Sequence, residues 1–312
     1  MSRFFLIAAA LMLLHVAAID AAPDATVNAD GATIDITFAT QPDPAQRQLW
    51  LDWVNAAARA VTLYYGQYPV PHADLRISTF SGRGVHGGRA TGWRSPRIVI
   101  SVGAANTARD FATDWMLTHE MIHLAFPSVA DRHHWIEEGI SVYVEPIARA
   151  RAGLISPEDA WKDLVEGVPQ GLPEAGDRGL DYTPTWGRTY WGGALFCLLA
   201  DVEIRKRTKG AKGLEDALRA IQRAGGVITN DWSLSRAFEI GDRATGTTVL
   251  SEQYDKMSAA PYKPDLGALW NSLGIERRGG RVYFSDSAPL AFVREAIDPT
   301  HKSAGTAAAL SN

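Results

Sequence analysis

Polar and apolar positions alternate through ATIDITF (32–38), the pattern of a half-buried strand. The next segment, 42–66, changes period. Leu49, Trp53, Ala56, Ala60 and Leu63 recur at helical spacing, and Asp43 followed by Pro44 supplies a cap and a first turn. ADLRISTF (73–80) and SPRIVISVG (95–103) return to strand patterns. One amphipathic helix is then expected from Thr107 to Phe126, with Phe111, Trp115 and Ile122 on or beside its core side. Thr107 and Asp110 have the spacing of a capping box, and Pro127 stops the helix.

Beyond this point helical periods dominate, at 133–150, 156–166, 187–208, 213–224, 233–241 and 247–258. A two-stranded element is expected at 276–284, turning at Gly279-Gly280. No repeat and no Pro- or Ser-rich linker divides the chain. The expected fold class is therefore α+β, a small N-terminal mixed sheet packed on a mainly helical C-terminal half. It forms one domain over 23–300, with a strand-containing half at 23–126 and a helical half at 127–300. Residues 301–312 read as a flexible tail.

Composition narrows the classes. Hydrophobic residues are 46% and charged residues 21% of 312, as in ordinary folded domains. A net charge of -4 gives no basic face, so no nucleic-acid partner is expected. Phe4 to Leu14 is an apolar run behind Arg3, followed by small residues with cleavage expected between Ala18 and Ala22. This is the pattern of a signal peptide over 1–22 and implies a secreted or periplasmic protein. The run is shorter than the ~20 residues that span a bilayer, so stable membrane insertion is not expected once it is removed. An uncleaved anchor is the alternative. The single cysteine, Cys197, lies in an apolar stretch and reads as a small buried hydrophobe. Oligomeric state is not legible.

The chemistry concentrates in LTHEMIHLAF (117–126). His119 and His123 are four apart, so on a helix they share one face and can share one metal. Glu120 stands between them as a general base that takes a proton from water and later delivers one to the leaving amine. Composition alone predicts only about 0.01 occurrences of H-E-x-x-H in such a chain. A catalytic zinc needs a third protein ligand. Phe126 and Val129 stand where a longer three-histidine motif requires Gly and His, which excludes that class. Glu138, on the next helix after a short turn at 127–132, is the expected third ligand, and Glu137 is its rival. His133 and His134 read as surface turn residues. Gly139 removes a side chain where the two helices must approach closely.

HEMIH followed by Trp135, Glu138, Gly139 and Tyr143 resembles the aminopeptidase N and glycyl aminopeptidase families of gluzincin metallopeptidases. Residues 190–221 are also similar to the glycyl family, through Tyr190, Gly193 to Leu195, Leu198 to Asp201, Ile204-Arg205 and Leu214 to Asp216. The resemblance implies a zincin, thermolysin-like catalytic domain, one Zn2+ per chain and a peptide or protein substrate. It also implies that Tyr190 donates to the oxyanion of the tetrahedral intermediate, with Tyr182 as the weaker substitute. Two departures stand out. Gly192 occupies a position where these families usually have Lys. No Gly-x-Met-Glu-Asn strand precedes the motif, and residues 84–101 carry no acidic residue to hold a substrate amino terminus.

Gly82, Gly84 and Gly87 fit G-x-G-x-x-G, but the sequence after them is strand-like rather than helical, so a nucleotide site is not expected. The glycines are expected at a cleft edge, where peptide could pair with the 97–102 strand, and Trp93 is placed to line a pocket. No G-x-S-x-G elbow exists. The alternative to a secreted zinc peptidase is a non-catalytic, zinc-stabilised envelope binding or assembly protein.

Overall fold

The computed structural model describes residues 22–299. The signal-peptide cleavage region through Ala21 and the expected tail at 301–312 lie outside them. The chain opens with a hairpin, β1 (Ala25–Ala29) and β2 (Ala32–Phe38). Its turn places Asp30 and Gly31 at φ 50° and 84°, the left-handed pair a tight two-residue hairpin requires. Helix α1 (Pro44–Tyr65) follows, with the Asp43 side chain accepting from Gln46 N at 2.9 Å as expected. Then come β3 (His72–Phe80), β4 (Val85–Thr91) and β5 (Arg97–Gly103). The sheet order is β1-β2-β3-β5-β4, parallel at β2–β3 and β3–β5 and antiparallel at both rims. Ile34, Ile36, Leu75, Ile77, Ile98 and Ile100 are all buried in the core beneath the helices.

The face of α1 agrees in part with the expected one: Trp53 and Ala60 are buried and Leu49 and Ala56 half-buried, but the buried stripe is displaced from Leu63. Trp50, Trp53, Val54, Ala57, Ala58 and Val61 are buried, while Leu63 is 45% exposed. The expected helix from Thr107 to Phe126 is two helices, α2 (Ala108–Ala112) and α3 (Met116–His123). The capping box at Thr107 and Asp110 is present. Asp114 makes the break. Its carboxylate accepts from Met116 N, Leu117 N and the Trp53 indole, so α3 starts afresh on a side-chain cap tied to α1. Trp115 is consequently turned out, 48% exposed, rather than in the core.

The second half is helical, as expected: α4 (His134–Arg151), α5 (Pro157–Gly167), α6 (Gly193–Thr208), α7 (Leu214–Arg223), α8 (Leu234–Thr245) and α9 (Val249–Met257). Helix α10 (Leu266–Leu273), the hairpin β6 (Ile275–Arg278) and β7 (Arg281–Phe284), and α11 (Ala291–Ile297) complete it. Gly279 and Gly280 form the turn of that hairpin, both at positive φ. Cys197 is buried. Among the described residues no helix is long and apolar enough to cross a membrane.

Gly139 does meet a close approach, but its neighbour is α6 rather than α3. A Cβ there would sit 2.3 Å from the Gly193 carbonyl carbon, and one on Gly193 would sit 2.0 Å from the Trp135 oxygen. Two facing glycines thus set the distance between α4 and α6. Tyr143 on α4 donates to Asp201 on α6 at 2.8 Å, and Asp201 pairs with Arg205 at 2.9 Å. Further along α4, Glu145 and Arg149 form a buried pair at 2.9 Å. Burial pushes the Glu145 carboxyl up to about 7, from an ordinary 4.5. The folded state therefore holds this proton more tightly than the unfolded chain does. The resulting stability is complete below the ordinary value and is lost as pH rises through about 7. The denaturation midpoint is expected to fall less between about pH 5 and about pH 8 in Glu145→Gln than in the parent. Identical slopes in the two chains would contradict this.

Candidate metal centre

Helix α3 presents His119 and His123 one turn apart, with their Nε2 atoms 3.2 Å from each other. The chain then crosses to α4 through a segment fixed by Ser128, which accepts from Trp232 N at 2.9 Å and donates to Asn230 O at 3.0 Å. This return brings Glu138 Oε2 to 3.2 Å from His119 Nε2 and 3.5 Å from His123 Nε2. The sequence therefore names three groups that the fold brings together. Their candidate ligand atoms lie within 4.8 Å of one another.

The donor set fits zinc. Bonds of ~2.0–2.1 Å in tetrahedral geometry place ligand atoms about 3.3 Å apart. The three observed edges, 3.2, 3.2 and 3.5 Å, form such a triangular face. Two imidazoles and a carboxylate are also ligands that zinc accepts. Burial holds the His119 imidazole below its ordinary value, so the neutral form that binds metal is favoured. Glu138 is held far below the usual carboxylate range: its burial opposes this, and the hydrogen bonds from His119, His123 and His134 prevail.

The rival residues take other roles. Glu137 accepts from Val129 N at 3.1 Å and from His134 Nδ1 at 2.7 Å, outside the triangle. His133 is buried, not a surface turn residue, and donates to Asp181 at 2.9 Å. His134 is half exposed, and its Nε2 lies 3.3 Å from the second oxygen of Glu138. The hydrogen bond to Glu137, then that to Glu138, pushes His134 up to about 10. It is therefore a cation at neutral pH that orients the Glu138 carboxylate. Tyr182 is 49% exposed and does not line the cleft.

Glu120 is buried beside the triangle, at 7% exposure, and burial raises its carboxyl above the ordinary value. The Ala90 N–H of β4 donates to it. A Cβ on Gly88 would lie 2.7 Å from Glu120 Oε1, so only glycine lets this strand lie against the base. Strand β4 also corrects an expectation. It occupies the edge of the 97–102 strand, so β4 is the outer strand available to a peptide backbone. Gly82, Gly84 and Gly87 all adopt positive φ and no helix follows them. Trp93 is 82% exposed and lines neither cavity at the centre.

Tyr190 sits in a π turn, Arg188–Gly192, immediately before α6. The turn is anchored by Arg188, buried, which pairs with Asp177 at 2.8 Å and donates to the Gly171 carbonyl. The phenol stacks on Trp186 with centroids 5.8 Å apart. Burial, then the charges of Glu138 and Glu120, raise its pKa and keep it a proton donor. His119, Glu120, Glu138, Tyr190 and β4 line one cavity of about 590 Å³. Sequence reasoning missed His134, Gly88, the Ala90 amide and Trp186. Only the adjacency of His134 to the Glu137-Glu138 pair gave a sequence signal.

No protein-family model and no curated protein sequence matches the chain. Solved structures do match in fold. An aminopeptidase N family protein from Idiomarina loihiensis is similar over 80% of this chain and 49% of its own, with a TM-score of 0.60 and 13% identity. A point mutant of an M1 zinc metallopeptidase from Deinococcus radiodurans is similar over 78% of this chain and 53% of its own, with a TM-score of 0.50 and 14% identity. The chain thus spans about half the length of these structures. Its α+β architecture, a mixed sheet leading into a helical remainder, is similar in fold to the matched part of these structures.

Proposed function

We propose that this chain is a zinc-dependent metallopeptidase that hydrolyses peptide bonds. The observation that carries the reading is the triangle of His119, His123 and Glu138 atoms, with Glu120 and Tyr190 facing the same cavity. A zinc held by these three residues would supply a Lewis acid and lower the pKa of a bound water to about 7. Glu120 accepts the proton of the attacking water and returns it to the leaving amine. Its raised pKa suits both directions of transfer. Tyr190 donates to the oxygen that becomes negative as the carbonyl is attacked. The outer edge of β4 runs beside Glu120 and supports an extended substrate backbone. VHGGRAT offers no carboxylate for a substrate amino terminus, which supports recognition through the main chain.

The signal-like run Phe4 to Leu14 supports action outside the cytoplasm, with 23–300 as a single peptidase unit. The test is metal analysis joined to turnover. The purified chain is expected to hold one zinc, to lose peptide hydrolysis with a chelator and to regain it with added zinc. His123→Ala is expected to lose both metal and activity. Zinc-free chain that hydrolyses peptides at the full rate would overturn the reading. Tyr190→Phe is expected to keep its zinc and lower kcat about 10²–10³-fold with little change in KM. An unchanged kcat would remove the tyrosine from the reaction.

A further inference from the structure

Trp115, His119 and Tyr190 line a second cavity, of about 450 Å³, on the α4–α5 side of the metal centre. The two cavities therefore meet at the reacting groups. Val142, Pro146 and Trp191 give the second one apolar walls. Its aromatic rim is uncovered, with Trp186 61% and Trp115 48% exposed, an arrangement typical of contact surfaces. Glu145, Asp163 and Glu166 also line it, against one guanidinium, Arg149. Arg149 is committed to Glu145 at 2.9 Å, and Glu166 is held by Arg277 at 2.7 Å. Asp163 makes no hydrogen bond or close ion pair among the described residues. One further polar atom is left over. His119 Nδ1, on a side chain only 4% exposed, is buried without a partner among the described residues. Its Nε2 is committed to the metal triangle, so Nδ1 carries the ring proton and can donate to water held in the cavity.

We propose that this second cavity is the subsite for a lysine or arginine side chain of the substrate residue beside the scissile bond. The inference rests on the peptidase reading above. A long cationic side chain satisfies both parts of the site. Its methylene stem lies along the tryptophan and proline walls, and its charged head meets the aromatic faces and Asp163. An acidic side chain would be repelled by the unpaired Asp163 and by the neighbouring carboxylates of Glu166 and, above about pH 7, Glu145. A purely aliphatic one would fill the walls and strip water from those carboxylates without replacing it.

The test separates binding from turnover. Peptides of alanine and glycine carrying one arginine, norleucine or glutamate are titrated calorimetrically into the zinc-loaded Glu120→Gln chain. The arginine peptide is expected to bind about tenfold more tightly than the norleucine peptide, with the glutamate peptide weakest. Asp163→Lys, introduced into the same background, is expected to invert the order of arginine and glutamate. Equal binding of all three, binding of none, or an order unmoved by Asp163→Lys overturns the subsite. Wild-type hydrolysis is measured separately. Hydrolysis without arginine preference refutes the subsite alone, and arginine preference without hydrolysis refutes the catalytic reading alone.

Discussion

Glu120→Gln is expected to lower kcat by about 10²–10⁴-fold while zinc content and folding stability hold. The amide has the shape of the carboxylate and can still accept from Ala90 N, so β4 keeps its place. It has no lone pair basic enough to take a proton from water, and no proton to pass to the leaving amine. Glu120 also stands outside the three-atom triangle, so the replacement leaves every proposed zinc ligand in position. Steady-state kinetics and metal analysis on one preparation check both halves. Loss of zinc together with activity would make Glu120 a structural member of the site. Undiminished kcat would remove it from the chemistry.

The largest effect on stability is expected from Gly193→Ala. One methyl group enters a space where the Trp135 carbonyl oxygen would be 2.0 Å away and the Gly139 Cα 2.7 Å away. Both neighbours are backbone, so relief requires α4 and α6 to separate. Strained overpacking of this kind costs about 3 kcal/mol or more. The consequence reaches function because Glu138 and Tyr190 each lie within five residues of the contact, on opposite sides of it. Denaturant unfolding is expected to show the loss of stability, and isothermal titration a weaker zinc affinity. Unchanged stability in the Gly193→Ala variant would show that the two helices can part freely.

Much of the fold was legible because its signals are local. The alternation of ATIDITF is the alternation of β2, and the Asp43-Pro44 start of α1 is a side-chain cap that involves only neighbours. Where tertiary contacts decide, the pattern misled. Thr107 to Phe126 has a continuous helical period, yet Asp114 is held by the Trp53 indole of a distant helix and breaks it. β1 carries no strand pattern because ATVNA is only five residues long, and β4 shows strand character without definite bounds because VHGGRAT holds two glycines and few apolar positions. Helices α10 and α11 are eight and seven residues long, too short to establish a period.

The site divides in the same way. His119 and His123 are separated by one helical turn, so their spacing states their geometry. Glu138 follows after a turn too short to carry it elsewhere. Tyr190 came only through resemblance, since 52 positions separate it from Glu138 and no periodicity spans that interval. The grip of His134 on Glu138 depends on the angle at which α4 starts. The fit of Gly88 against Glu120 depends on how the sheet edge meets α3. Neither relation is written in any local pattern.

The most direct test of the central claim is a map of cleaved peptide ends. Metal-stripped and zinc-restored chains are incubated with one complex peptide mixture, and the new termini are identified by mass spectrometry. The account predicts new termini only with the zinc-restored chain, adjacent to lysine or arginine in excess of their abundance in the mixture. Single residues lost from free amino termini would define an aminopeptidase, and internal cuts an endopeptidase. Identical mixtures after both incubations would contradict the account and leave the metal centre as a structural one.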